Sequence, residues 1–226
     1  MNMRTYINTT SDNHSDIRHL MEILSASTTT VESYRDSFYL IGKALGNVLN
    51  QDIQGNYGPT MLVCASEDAD WLTKGVLESI SQKDISLAVF WHDRVTLNEE
   101  KNLEYSPIIK SYIEPIENCQ TLILVKSIIS TSCVVKTQLT RLINKINPQA
   151  IYILSPVMYK DAEYNLRQEF PESIHKKFRF LTFAIDSERK NNIVIPGIGG
   201  MVYPKLGLGD LSEKNKYIPT LVKERI

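Results

Sequence analysis

Glu67, Asp68 and Asp70 stand within four residues of one another, directly behind an apolar run at residues 60–66. Carboxylates so grouped suit two chemistries: oxygen coordination of a divalent cation, and stabilisation of a cationic sugar at a glycosyl bond. An acidic first helical turn, favoured by the helix dipole, fits them equally. A second group lies beyond the apolar run 121–125, where Lys126 closes the run and Ser130, Thr131, Ser132 and Cys133 lead into a helical pattern. Strand, loop and helix N-terminus in that order are where α/β proteins bind phosphate. The loop nevertheless carries no glycine and no carboxylate. Thr131 and Ser132 serve equally as a plain helix cap, Lys126 as a solvated lysine, and Cys133 as either a thiol of lowered pKa or a small buried residue. His92 beside Asp93 reads as a base and its orienter, although neighbouring strand residues point to opposite faces. Last, Ile195, Pro196, Gly197, Gly199 and Gly200 form a glycine-dense segment that specifies a backbone path side chains would obstruct.

The elements that must position these groups are set by periodicity. Apolar residues at 17, 20, 21 and 24 predict a helix over 16–27, and Tyr34, Phe38, Ile41, Leu45, Val48 and Leu49 predict another over 31–50. After the turn at 54–59, short β-rich runs at 60–66, 85–92, 121–127, 150–155, 178–186 and 192–196 alternate with helical patterns at 71–81, 131–146 and 161–169. That alternation predicts an α/β fold with a doubly wound, mainly parallel sheet and an N-terminal helical element. The expected organisation is a flexible stretch over 1–15, one domain over 16–210, and a tail over 211–226. In the tail, Tyr217, Ile218, Leu221, Val222 and Ile226 form the stripe of a short helix that staples the domain or docks on another chain. Ligands of such sheets bind beyond the carboxyl ends of the strands, so the loops after residues 66, 92, 126, 155 and 196 matter most.

Bulk composition narrows the function classes. Lys plus Arg (25) nearly balances Asp plus Glu (26), so nucleic acid is not expected as the main ligand. Three cysteines without a CxxC favour a reducing compartment. Neither a signal-peptide core nor an apolar run of membrane length is present, so a cytoplasmic protein with no membrane contact is expected.

Four local patterns in one order resemble uracil phosphoribosyltransferases. They are Leu24, Thr29, Tyr34 and Arg35; the segment WHDRVTL at 91–97; LILVKSIISTSCV, standing where that family has its sugar-phosphate loop; and NIVIPGIGG at 192–200, similar to its base-covering hood. The resemblance spans about 16–209 and implies a phosphoribosyltransferase-type fold with an α-helical start. It also implies a homodimer, a nucleotide-type ligand, and a loop at 67–71 that receives pyrophosphate.

Against that pattern the charges are exchanged. Lys126 replaces an acid, Ser132 and Cys133 replace two glycines, and Glu67, Asp68, Ala69, Asp70 and Trp71 stand where a basic, glycine-bearing loop is expected. His92 replaces an arginine, and Gly200 the acid of the hood. Carboxylates facing a polyanion repel it, more strongly as water is excluded. The expected function is therefore that of a non-catalytic, regulatory, nucleotide-sensing or complex-forming subunit with no cofactor. By analogy with degenerate relatives of this fold, a place as an accessory part of a bacterial regulatory or phage-defence cassette is the expectation. The alternative is a divergent transferase or N-glycosyl-bond enzyme using Glu67, Asp68 or Asp70, with Mg²⁺ only in that case. The partner would be a second copy or another protein chain.

Overall fold

A computed structural model describes residues 3–10, 13–98 and 103–226, with side chains between 96 and 104 outside the described part. The strands are β1 (Arg4–Tyr6), β2 (Thr60–Ala65), β3 (Ile85–His92), β4 (Val95–Asn98), β5 (Leu103–Tyr105), β6 (Ile108–Ile113), β7 (Thr121–Val125), β8 (Ile128–Ile129), β9 (Ala150–Tyr159), β10 (Phe178–Asp186), β11 (Glu188–Lys190) and β12 (Ile193–Ile195). The helices are α1 (His14–Ser25), α2 (Val31–Ile53), α3 (Lys74–Ser79), α4 (Cys133–Ile146), α5 (Ala162–Gln168), α6 (Glu172–His175), α7 (Val202–Lys205), α8 (Leu211–Lys216) and α9 (Thr220–Lys223).

The main sheet runs β1-β10-β9-β7-β2-β3-β6, with β8 alongside β9. From β2 the chain steps outward to β3 and β6, then returns to the other side of β2 for β7, β9 and β10. The core strands are parallel, while β1 and β6 are antiparallel edges. The order therefore reverses between β2 and β7, which makes that crevice the topological switch point where doubly wound sheets hold ligands.

Strands β2, β7 and most of β9 are buried on both faces, as parallel strands between two helical layers must be. One face packs Leu62, Cys64 and Val125 against Met21, Tyr34, Phe38 and Leu45 of α1 and α2. The other packs Val63, Leu124 and Ile153 against Leu139, Leu142 and Ile143 of α4. Helix α2 crosses the π-helical turn Ala69–Thr73 and α3 at very short range. A Cβ added to Gly42 would stand 2.1 Å from the Leu72 carbonyl oxygen, and one on Gly75 would stand 2.2 Å from that of Tyr39. Gly42→Ala is therefore expected to destabilise the protein by about 1–3 kcal/mol, read as a lowered urea midpoint at unchanged slope.

Several expectations change. Residues 4–6 of the N-terminus expected to be flexible form β1, paired with β10 through Arg4↔Asp186 to Tyr6↔Ala184; the rest of that expectation includes residues 1, 2, 11 and 12, which lie outside the described part. The run 192–196 yields only β12, in a separate hairpin with β11. Strand β9 continues past Ser155 and Pro156, with the Ser155 hydroxyl donating to the Val157 carbonyl and Thr182 Oγ1 to that of Pro156. The tail forms α8 and α9 and lies on its own domain. Among the described residues, no helix is long and apolar enough to cross a membrane.

Candidate functional site

The loops that leave β2 and β7 build the switch-point crevice. Register pairs Cys64 with Val125, so the two loops start side by side. After β2 the chain tightens into a 3-10 turn, Ser66–Asp68, which turns Glu67 and Asp68 inward. After β7 it breaks at Lys126, whose N–H still bonds the Leu154 carbonyl, before rejoining the sheet as β8. Lys126 thereby enters the crevice instead of solvent. Its Nζ lies 2.6 Å from Asp68 Oδ2 and 3.4 Å from Glu67 Oε1, and donates to Ser127 Oγ at 3.0 Å.

A second lysine arrives from the tail. Lys214 of α8, 2% exposed, places Nζ 3.7 Å from Glu67 Oε2 and donates to the His92 carbonyl at 2.7 Å. Two ammonium and two carboxylate groups thus form one buried cluster. Burial by itself would raise the Glu67 pKa, but Lys126 and Lys214 outweigh it and hold the carboxyl at about 2, below its usual 4.5. Burial would lower Lys126, and the two carboxylates reverse that, leaving it above 10.5. Asp68 goes the other way, raised by burial despite Lys126. Among the described residues, Asp68 Oδ1 and Ser66 Oγ are buried without a hydrogen-bond partner.

Asp70 is not part of this group. The π-helical turn carries it to the outer surface, where its carboxylate accepts the Tyr217 hydroxyl and the N–H groups of Thr220 and Leu221 at 2.7 and 3.0 Å. It caps α9 and pins the tail. Trp71 stacks on Tyr217 (centroids 6.3 Å, 8° between planes) and under Arg35, while Trp91 Nε1 donates to the Tyr217 carbonyl at 2.7 Å. Neither shared chemistry nor a shared helical turn joins the three carboxylates.

His92 is buried, with Nδ1 3.1 Å from the Ser106 carbonyl and Nε2 3.1 Å from the Gln138 amide. Burial lowers its pKa, so the ring is a neutral donor and acceptor. Among the described residues, the Asp93 side chain accepts from the Arg94 N–H and not from His92, so the two do not act as a pair.

At the start of α4, Ser132 occupies the cap position with φ +64° and no capping hydrogen bond; its hydroxyl donates to the Ala162 carbonyl. The simple cap therefore fails. Ser130 donates to the Asn192 carbonyl, tying this loop to the β11–β12 hairpin. Between them lies a cavity of about 140 Å³ lined by the loop 126–133, Glu67, Arg94, Gly200 and Tyr203. Cys133 lines it half-buried.

The hood closes one side of the crevice. Arg4 forks onto Asp186 at 2.7 and 2.8 Å and donates to the Gly197 carbonyl at 2.6 Å, while the Gly197 N–H donates to Asp186 at 2.7 Å. The Tyr34 hydroxyl donates to the Ile198 carbonyl at 2.8 Å, and Arg35 to that of Leu206. Pro196 and Ile195 are joined by a cis peptide. Gly199 has φ +74°, and a Cβ there would stand 2.8 Å from the Leu24 carbonyl oxygen. The first and last of the four sequence patterns thus hold each other. Lys214 and Arg4 escaped sequence reading; Lys214 sits in a polar stretch where nothing distinguishes it from its exposed neighbours.

No family model matches the chain, and no curated protein matches it by sequence. Among solved structures, the AQ2163 protein from Aquifex aeolicus superposes with a TM-score of 0.65 at 14% identity, over 89% of this chain and 97% of that one. The fold is shared with that protein. A Staphylococcus aureus hypoxanthine phosphoribosyltransferase matches 54% of this chain and 65% of its own at 15% identity, with a TM-score of 0.39. A Neisseria gonorrhoeae protein with bound ppGpp matches 67% of this chain and 83% of its own at 14% identity, also at 0.39. At 14% identity the likeness to the Aquifex aeolicus protein concerns the fold alone.

Proposed function

We propose that this protein is a non-catalytic relative of the phosphoribosyltransferases that binds a nucleotide-type anion beside the loop 126–133 and acts as a regulatory or complex-forming subunit. The observation that carries this reading is the 2.6 Å contact between Lys126 Nζ and Asp68 Oδ2 in a buried cluster shared with Glu67 and Lys214. In the resembled enzymes the corresponding loops offer cations to a diphosphate on one side and acids to the ribose and metal on the other. Here the charges are exchanged and neutralise each other, so neither set is free for a metal–diphosphate complex. Among the described residues, no group of three or more His, Cys, Asp or Glu could hold a metal ion. Glu67, held near pKa 2, is a weak base, and its charge is taken up by Lys126 and Lys214 instead of being free to face a cationic sugar. That weighs against the glycosyl-bond alternative.

What remains for a ligand is the cavity under the hood, with the N-terminus of α4 to receive a phosphate. Incubation with uracil, phosphoribosyl diphosphate and Mg²⁺ is expected to yield no UMP, whereas a panel of nucleotides melted with the protein is expected to contain one that raises Tm. At a hundredfold excess over Kd such a ligand adds about 2.7 kcal/mol. Thr131→Glu, which puts a negative charge at the helix start, is expected to abolish that stabilisation. UMP formation at an enzymatic rate would overturn the non-catalytic reading; a panel without effect would overturn the nucleotide.

A further inference from the structure

Strand β6 ends the sheet, paired with β3 on one side only. Glu114, next after β6, sends its N–H to the Leu87 carbonyl. Tyr112 therefore also faces β3, and the main-chain groups of Ser111 and Ile113 point to the open edge, by strand alternation. Beside this edge, between β6 and α4, lies a groove of about 940 Å³. Its apolar lining comes from Tyr105, Pro107, Ile108 and Ile109, of which Tyr105 and Ile109 are about half exposed at 51% and 47%. Its charge comes from Lys136, Arg141 and Lys145, with no carboxylate among the described residues that line it; Lys110 also lines it but sends its ammonium to the Asn215 carbonyl. Lys136 has Glu169 as partner. Neither Arg141 nor Lys145 has an acidic partner among the described residues.

We infer that this edge takes an extended, acidic peptide segment of a partner protein as an additional strand. Main-chain pairing to Ser111 and Ile113 supplies the register, as in other strand additions. Side chains of the added strand on the α4 side would place carboxylates against Arg141 and Lys145 and cover Ile109. Two alternatives fit less well. A second copy joined edge to edge about a twofold axis would bring these cations against their own images. Single-stranded nucleic acid would satisfy the cations but leave the regularly spaced donors and acceptors of β6 unpaired. Open main-chain groups on a strand edge are a template for pairing with another chain, and Lys110 with the bulge opposite Trp91 and His92 restricts which chain can pair. Peptide capture does not rest on the nucleotide reading, although Cys133 lines both the groove and the cavity.

The test is fluorescence anisotropy of the full chain with a labelled peptide of alternating glutamate and valine. Saturable binding is expected, lost when alternate amides of the peptide are N-methylated, a change that leaves the protein untouched. Arg141→Glu combined with Lys145→Glu is expected to weaken binding at least about tenfold at low salt. Ser111→Pro removes an outward N–H without touching the ladder to β3 and is expected to do the same, with Tm as the control for folding. Unchanged binding of the N-methylated peptide would overturn strand addition. Tighter binding of an oligothymidylate with a linear salt dependence would assign the groove to nucleic acid instead. A dimer disrupted by Ser111→Pro, in a protein that ignores the peptide, would assign it to a second copy.

Discussion

Lys126→Met is expected to lower folding stability by about 3–5 kcal/mol, because it leaves Asp68 and Glu67 buried with only Lys214, at 3.7 Å from Glu67, to face them. Adding Asp68→Leu should recover at least half of the loss, since removing both partners of a buried pair costs far less than removing one. Urea unfolding of the single and double variants gives the coupling directly. A loss under about 1 kcal/mol for the single variant would mean that water reaches the cluster and screens it. The pH dependence has a definite sign. Glu67 has a folded pKa near 2, below its ordinary 4.5, so its contribution is fully present above 4.5 and is lost as pH falls from there toward 2. Lys126 is raised, so its contribution is present below 10.5 and is lost as pH rises through its folded value. Asp68 is raised and opposes Glu67 at the acid end. Lys126→Met should flatten the alkaline limb.

Removing residues 211–226 is the second large change and is expected to cost more than about 4 kcal/mol. The deletion exposes Leu221 and Val222 contacts in the core, strips Asp70 of three donors, orphans Trp91 Nε1 and withdraws Lys214 from Glu67. Asp70→Ala should cost about 1–3 kcal/mol while leaving the domain folded. Limited trypsin digestion distinguishes the two steps: in that variant, cleavage after Lys216 and Lys223 should speed up before any cut elsewhere. Equal protection of both forms would show that apolar packing alone holds the tail.

The fold was legible where burial dictates composition. Runs such as TLILV, buried on both faces, can be little else than central strands in an alternating chain. The edge was not: IIKSYI mixes apolar and charged residues because β6 is covered only in part, so its pattern lacks the signal of the core. Nor was the destination of 192–196 legible, since a three-residue β run reads alike in a sheet or a hairpin. At the site, the exchanged charges were visible one by one, but not that they meet. That meeting depends on β2 lying beside β7, which makes residues 68 and 126 neighbours across 58 positions. Opposite charge inversions on two loops at one switch point are the signal that could have found it. Asp70 misled because sequence proximity suggested a cluster, and one π-helical turn sends it to another surface.

The hood carries a consequence for how the chain acquires its structure. Arg4 and Gly197 meet across 193 positions, Arg35 and Leu206 across 171, and Tyr34 and Ile198 across 164. Contacts of such high order close only after the intervening sheet has brought the ends together. During synthesis, Arg4 must wait for the 193 positions to Gly197, and Tyr34 for the 164 positions to Ile198, before their partners leave the ribosome. Arg4 therefore meets the hood only after the strands that lie between them in sequence have come together.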